Sequence, residues 1–418
     1  MNRELISKNV HLTVLPNDKF KRNRITVAFV MPNERDKATM YALLPGMLER
    51  AYEDYPEMRL FSKKLSKMYS ATLSVNSSVV GCNRIVRFTI QGIKNEYCLD
   101  KNEDLLKEMC KVLLGVIFRP CLVDGVFTEE WLEIEKYKLR EEIEGEINDK
   151  RSYCIKSARR KFFGDSLNGV ERLGYISEID GITPKALYDC YKNMIDDAVT
   201  EIFITANNPD TSVEMIKNHF NKDRECFVSI IPVSNMPCKE SAECFTEHID
   251  TVQGKVCLLY TTKRVLTERE RYKMLVASAL FGGVPSSRLF KNVREKQSLC
   301  YYCRAGFNGF SQSMSVDSGV EHCNAQRTVE AVQRELENLI NGPISDEEIN
   351  EIKLAIKNSL NSNYDTLYGL EAWYLNESLR DTFVSPEYAI EQVEKVTVDD
   401  IKDALSLLNL NVIYTITK

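Results

Sequence analysis

The chain has 418 residues, with 55 lysines and arginines against 61 aspartates and glutamates, and a net charge of −6. This length leaves room for two or three domains with sizeable cores. No segment concentrates basic residues as a nucleic-acid-binding surface does, and no apolar run is long enough to span a membrane. The composition therefore argues against a nucleic-acid partner and against a membrane partner.

Cellular location can be predicted from the amino terminus and the cysteines. The first residues lack the basic-then-apolar layout of a signal peptide. Thirteen cysteines are scattered along the chain, an odd number that suits reduced thiols better than a disulfide framework. We expect a cytoplasmic protein.

The first half of the chain contains clear helix and strand patterns. Residues 44–50 read as a helix weakened by Pro45 and Gly46, which cost about 3 and about 1 kcal/mol in an exposed helix interior. Residues 84–91 alternate in polarity, which predicts an antiparallel strand with one buried face. Residues 104–118 place their apolar side chains along one helix face.

One local pattern occurs twice. Thr183 and Thr397 each stand at a helix N-cap position, and each following helix leads into an apolar strand, 201–205 or 412–417. Pro184 occupies the first helical position, where a missing N–H costs nothing. Related segments recur at offsets of roughly 200 to 235 residues, which indicates a duplicated unit.

The duplication predicts an α+β protein with two homologous domains, 1–215 and 216–418. Each is expected to be an antiparallel β-sheet with helices packed on one face. Turn residues and prolines place a linker within 207–240. Two capping boxes, Thr267 with Glu270 and Ser345 with Glu348, predict helix starts in the second domain; they are read from the spacing S/T-x-x-E.

The second half carries an arginine and a tyrosine in a distinctive setting. A predicted helix ends at Gly282 and Gly283, and Arg294 follows, seven positions before Tyr301 in an aromatic strand. Arg294 could donate hydrogen bonds to a peptide carbonyl or a developing oxyanion, and Tyr301 could add a phenolic donor. The alternative is a structural salt bridge and a core tyrosine. The glycine turn lacks the spacing and the lysine of a phosphate-binding loop.

Cys300 and Cys303 form a C-x-x-C string, which can be a redox or zinc motif. The chain contains no second C-x-x-C to complete a zinc site. Because positions three apart on a regular strand face opposite sides, we expect a structural role for both cysteines.

The block 282–301 resembles the second half of insulinase/pitrilysin-type metallopeptidases. That resemblance implies that Arg294 and Tyr301 hold the substrate backbone. Members of this family carry the zinc motif H-x-x-E-H, and no such string occurs in the chain. By position, Gly46 and Arg50 stand where the two histidine ligands belong, and Glu49 stands where the general base belongs.

The same resemblance maps the third zinc ligand onto Glu142, with Glu141 as a neighbouring choice. Glycine offers no ligand and arginine is permanently cationic, so we expect no metal in this chain. Arg50 could replace zinc electrostatically by bridging Glu49 and Glu142. The alternative is that the acidic run 141–146 is a solvated helix face. The histidines are too far apart in sequence to form another zinc motif: His11, His219, His248 and His322.

The resemblance implies a non-catalytic, zinc-lacking subunit of a metallopeptidase heterodimer, inactive by itself. Its expected partner is a zinc-bearing paralogue with an intact H-x-x-E-H motif, and zinc would be the cofactor of that partner. The expected substrate is a peptide or an unfolded polypeptide. Two alternatives remain: a binding or scaffold protein of the same fold without a proteolytic role, and an active peptidase with an unorthodox metal site.

Overall fold

The structure is a computed structural model, and it describes residues 2–220 and 228–418. The strands in this part of the chain are β1 (Asn2–Ser7), β2 (Val10–Leu15), β3 (Arg22–Pro32), β4 (Thr72–Val80), β5 (Asn83–Ile93), β6 (Val199–Thr205), β7 (Glu243–His248), β8 (Gly254–Thr262), β9 (Cys300–Asn308), β10 (Ser313–Val320) and β11 (Leu408–Thr417).

The α-helices are α1 (Ala38–Leu48), α2 (Met58–Lys67), α3 (Leu105–Phe118), α4 (Glu129–Gly145), α5 (Lys150–Phe163), α6 (Ile176–Ile179), α7 (Pro184–Asp197), α8 (Asp210–Phe220), α9 (Glu268–Ser278), α10 (Ala325–Asn341), α11 (Asp346–Asn361), α12 (Leu367–Ser378), α13 (Pro386–Glu394) and α14 (Val398–Ser406). Two π-helical segments also occur: Ala279–Gly283 and Leu289–Lys296. Short 3-10 turns cover Arg35–Lys37, Asn95–Tyr97, Glu146–Asn148, Leu167–Gly169, His322–Asn324 and Ser362–Asp365.

The described residues divide into two compact units. The first unit takes its residues from Met1–Glu144, Val170–Ile231 and Thr366–Glu371, and the second takes them from Gly145–Gly169, Pro232–Asp365 and Ala372–Lys418. The division into two homologous domains at 1–215 and 216–418, which was inferred from the duplicated sequence pattern, stays a prediction. Of the predicted linker 207–240, residues 221–227 lie outside the described residues.

The two sheets repeat one topology. The first has the strand order β1-β2-β6-β3-β5-β4 and the second has β7-β11-β8-β10-β9. In each sheet one pair is parallel, β2 with β6 and β7 with β11, and the other pairs are antiparallel. Apart from the added edge strand β1, the same order and directions occur in both. The predicted α+β class, with two antiparallel-dominated sheets and packed helices, is confirmed.

Helix α5 adds a layer that the sequence pattern did not predict. Within the second unit, Cys154 and Phe162 of this helix pack against Cys257 and Leu259 of β8. The alternate residues of β8, such as Leu258, face the main core on the other side of the sheet. Because side chains alternate across a strand, β8 is buried on both faces, which explains its continuous apolar sequence.

The predicted helix starts are confirmed at the capping residues. Thr183 accepts a hydrogen bond from the backbone N–H of Ala186. Among the described residues, full capping boxes occur in three helices, at Thr267 with Glu270, Ser345 with Glu348, and Thr397 with Asp400. No helix in the described part of the chain is long and apolar enough to cross a membrane.

Candidate functional site

Arg294 lies on a helical segment that packs tightly on β9. Helix α9 runs into the π-helical turn Ala279–Gly283, and the later segment Leu289–Lys296 carries Arg294. A Cβ atom on Gly282 would lie 2.6 Å from the backbone nitrogen of Ala305. Glycine is therefore required there for the turn to approach the strand.

A β-bulge at the start of β9 presents Tyr301. Gly319 of β10 pairs with Tyr302, but the next residue, Val320, pairs with Cys300, so Tyr301 is the extra residue of the bulge. The bulge turns the tyrosine outward, and half of its surface (50%) is exposed. Bulges of this kind commonly re-aim one side chain.

Arg294 and Tyr301 line the same cleft of the second unit. The cleft measures about 440 Å³, and its walls are formed by Arg294, Glu295, Ser298, Leu299, Cys300, Tyr301, Glu321 and Asn324. The guanidinium of Arg294 stacks on the ring of Phe290 at 4.5 Å.

The surroundings of both side chains favour the binding interpretation over the structural one. Arg294 takes part in no ion pair within the described residues, and its side chain is exposed. Tyr301 is not a core residue. The alternative of a structural salt bridge with a core tyrosine therefore does not describe this cleft. The substrate-holding role itself stays a prediction.

The same bulge changes the expected geometry of the two cysteines. Cys303 is buried in the core of the second unit, and Cys300 packs against that same core. Sequence spacing predicted opposite faces, which was wrong because the extra residue Tyr301 reverses the alternation between them. A hydrogen bond from Cys303 and the nearby Arg294 cation help to lower the pKa of the Cys300 thiol to about 7.

In the first unit, Gly46, Glu49 and Arg50 lie at the end of α1. Pro45 sits inside this helix without ending it, and the helix stops at Leu48. Glu49 caps the helix, and its backbone N–H bonds to the carbonyl of Pro45. The helix predicted over 44–50 therefore ends earlier, with Glu49 as its C-cap and Arg50 just beyond it.

The carboxylate that meets Arg50 is Glu135, not Glu142. Arg50 Nε lies 3.2 Å from Glu135 Oε1, and Arg50 Nη2 donates to the same oxygen. Glu142 instead accepts a hydrogen bond from Arg172 at 2.9 Å, and the two side chains are about half exposed. The predicted bridge from Arg50 to Glu142 is corrected accordingly. Helix α4 carries both glutamates, two turns apart.

Glu135 also fills the space beside Gly46. A Cβ atom at Gly46 would lie 2.0 Å from Oε2 of Glu135, so any larger residue must displace that carboxylate. Glu135 was not predicted as a site residue, although its position in the sequence of α4 indicates burial. It lies between the buried residues Leu132 and Leu139, on the buried side of α4.

The pKa of the Glu49 carboxyl is shifted by its burial and by the groups around it. Desolvation raises its pKa, a hydrogen bond with the Val75 backbone opposes the rise, and the charge of Glu135 adds to it. The negative charge of Glu135 therefore makes the Glu49 carboxyl harder to ionise. Glu135 forms ion pairs with the buried Arg50 and with the more exposed Lys138.

These residues do not fit zinc. Of the two positions predicted to correspond to histidine ligands, one is a glycine packed under a carboxylate and the other is a cation already bonded to that carboxylate. In the part of the chain that the structure describes, no three His, Cys, Asp or Glu side chains are grouped to hold a metal ion. The histidines contact other residues of the chain instead: His11 contacts Glu201, His219 contacts Met215, His248 contacts Lys418, and His322 contacts Thr251.

Comparisons with known proteins agree with this architecture. A family model described as "Peptidase M16 inactive domain" matches residues 181–356. Over 413 residues the chain is 26% identical to "Probable inactive metalloprotease YmfF" of Bacillus subtilis (strain 168), covering 98% of this chain and 97% of that protein. A 120-residue segment is 30% identical to "Uncharacterized zinc protease YmxG" of the same organism, covering 28% of this chain and 29% of that protein.

Solved structures share the fold over nearly the whole chain. A conserved protein from Enterococcus faecalis V583 superposes with a TM-score of 0.90 at 27% identity, covering 99% of this chain and 98% of that one. A structure titled "peptidase M16 inactive domain" from Pseudomonas fluorescens gives a TM-score of 0.77 at 15% identity, covering 100% of this chain and 98% of that one.

Proposed function

This chain belongs to the insulinase/pitrilysin-type metallopeptidases, the peptidase M16 family, as a non-catalytic member, and we propose that it is the substrate-holding subunit of a two-chain zinc peptidase. The observation that carries the proposal is the cleft of the second unit, where an arginine without an ion pair in the described residues stands beside a half-exposed tyrosine.

The two side chains suit the backbone of an extended peptide. The Arg294 guanidinium presents several N–H donors in a fixed plane, and the Tyr301 phenol presents one O–H donor. Such donors stabilise the negative charge that develops on a carbonyl oxygen during hydrolysis. The stack on Phe290 restrains the guanidinium before substrate arrives, so less conformational freedom is lost on binding.

The metal must then come from another chain. Because the positions of the zinc ligands hold Gly46 and Arg50, the catalytic zinc and the general base belong to a paralogue with an intact H-x-x-E-H motif. The substrate is a peptide or an unfolded polypeptide segment, and the pair works in the cytoplasm. Neither nucleic acid nor a membrane takes part.

Recovery of the partner from the native host is the first test. An affinity-tagged copy of this chain is expected to bring down a paralogue that contains H-x-x-E-H and about one zinc ion per pair, as measured by mass spectrometry. Recovery of this chain without such a paralogue contradicts the heterodimer. Recovery of a non-peptidase partner alone supports the scaffold function instead.

The second test uses the reconstituted pair. Arg294→Ala and Tyr301→Phe are each expected to lower kcat on the order of 10²–10³-fold, or about 3–4 kcal/mol, with a smaller effect on KM, because each variant removes a donor used in the transition state. Arg304→Ala is the matched control, since Arg304 is an exposed arginine of β9 that does not line the cleft. Wild-type turnover of both cleft variants contradicts the proposed role.

A further inference from the structure

We propose that Cys300 and Cys303 are a reversible thiol–disulfide pair that regulates the cleft of Arg294 and Tyr301. Whether the disulfide forms does not depend on whether the proposed function of this chain is correct. The consequence for substrate holding rests on the proposed function given above.

The bulge supplies the geometry. With Tyr301 as the extra residue, Cys300 and Cys303 both point toward the core of the second unit, so the two thiols lie on one side of β9. Only Cys300 also lines the cleft, whereas Cys303 is 2% exposed. One thiol is thus open to a solute and the other is sheltered behind it, the arrangement of an attacking and a resolving cysteine.

The electrostatics favour Cys300 as the attacking thiol. Its pKa of about 7 makes the thiolate abundant near neutral pH. The charged groups around it in the cleft are Arg294 and Glu295 from the preceding helical segment and Glu321, the residue that follows β10. Burial raises the pKa of other thiols, including Cys110, Cys154 and Cys190, each to about 12. Of these four thiols, Cys300 is therefore the most reactive.

The oxidant is a low-molecular-weight disulfide such as oxidised glutathione. The Cys300 thiolate attacks one sulfur of that disulfide, forms a mixed disulfide and releases one thiolate. The Cys303 thiol then loses its proton and attacks Sγ of Cys300, which releases the second small thiol. The protein loses two protons and two electrons, and the oxidant becomes two thiols. A reducing thiol reverses both steps.

Closure of the disulfide acts directly on Tyr301. The new bond would span the bulge, and Tyr301 is one of the two residues enclosed between the cysteines. A covalent link restricts how far the two ends of this short segment can separate. We expect it to turn the tyrosine away from the position in which it meets a peptide, while the distant sheet and helices stay folded.

The chemical test uses the full-length chain and oxidised glutathione, with digestion and mass spectrometry of the peptides. Wild type is expected to yield an internal Cys300–Cys303 disulfide that dithiothreitol removes. Cys303→Ser should stop at glutathione bound to Cys300, and Cys300→Ser should leave Cys303 unmodified. Cys323→Ser is the control, because Cys323 is exposed and lies next to the cleft residue Asn324. Wild type that accumulates only the mixed disulfide, or in which Cys300 stays a free thiol, overturns the proposal.

The functional arm separates this inference from the proposed function. In the reconstituted pair, oxidation should lower peptidase activity at least tenfold for wild type and Cys323→Ser but not for the doubly substituted Cys300→Ser/Cys303→Ser chain. Formation of the disulfide with no loss of activity in an active pair overturns the regulatory consequence. Formation of the disulfide in a chain that supports no peptidase with any partner contradicts the proposed function and leaves the thiol pair established.

Discussion

At the residue scale, a cation stands at the position that the sequence resemblance assigns to a metal ligand. Arg50 and Glu135 are largely buried, with 18% and 11% of their side chains exposed, and they form an ion pair at the end of α1, to which the more exposed Lys138 adds a second cation. Removing one partner of such a pair leaves a charge with too little water around it, which costs more than the pair itself contributes. The pair therefore stabilises the fold at the end of α1, where an unpaired buried carboxylate would destabilise it.

We predict that Arg50→Ala and Glu135→Gln each lower the free energy of unfolding by about 1–3 kcal/mol. The double variant should lose less than the sum of the two, because both changes remove the same interaction. Glu142→Gln is the control: its pair with Arg172 is about half exposed, so it should change stability by less than about 0.5 kcal/mol. Urea unfolding measures all four. Additive losses would show that Arg50 and Glu135 are not coupled.

At the element scale, capping boxes mark where α9, α11 and α14 of the second unit begin. In α9, Thr267 accepts from the Glu270 backbone, and the Glu270 carboxylate accepts from the Thr267 backbone. Arg264 also donates to Glu270. The hydrogen bond from Arg264 is the largest cause of the lowered pKa of Glu270, about 2 against an ordinary 4.5. The start of α9 is thus held by one carboxylate with several donors.

The lowered pKa gives a pH dependence with a defined sign. Because the pKa of Glu270 is lower in the folded state, its contribution to stability is complete above about pH 4.5 and is lost as the pH falls toward 2. The stability difference between wild type and Glu270→Gln should therefore be largest near neutral pH and should shrink below pH 5. Thermal unfolding across this range measures it. Glu268→Gln, in the same exposed first turn, is the control, and an equal pH profile for both variants would contradict the capping role.

At the scale of the whole molecule, one topology occurs twice, and the two copies carry different side chains at their candidate sites. The first copy ends α1 with an arginine and a carboxylate, and the second presents an arginine and a tyrosine in a cleft. A duplicated fold can hold different sites because the sheet and helices are maintained by core packing, whereas the sites lie at element ends. This division agrees with a non-catalytic member of its family.

We predict that the purified chain binds less than stoichiometric zinc and hydrolyses unstructured peptides no faster than a blank. The variant Gly46→His/Arg50→His should not recover an efficient enzyme. A side chain at position 46 meets the Glu135 carboxylate, whose Oε2 lies 2.0 Å from the new Cβ position. Metal analysis after dialysis and a peptide cleavage assay measure both chains. One tightly bound zinc with zinc-dependent turnover in the unmodified chain would refute the prediction.

The sequence by itself determined the features that depend on neighbouring residues. The cap at Thr183, the capping boxes at Thr267 and Ser345, and helix α3 were predictable because their interactions span three or four positions along the chain. The repeated order of helices and strands was also visible, since hydrophobic periodicity is a local property. The family resemblance followed from short motifs of the same kind.

Only the tertiary structure decided which distant residues meet. Glu135 and Glu142 lie two turns apart on nearly the same side of α4, so local sequence could not say which one Arg50 contacts. The bulge at Tyr301 depends on the register with β10, and one extra residue reversed the predicted faces of the two cysteines. Helix α5 packs on a sheet whose strands begin about a hundred residues later, because contacts of that range are set by whole-chain packing and leave no periodic signal.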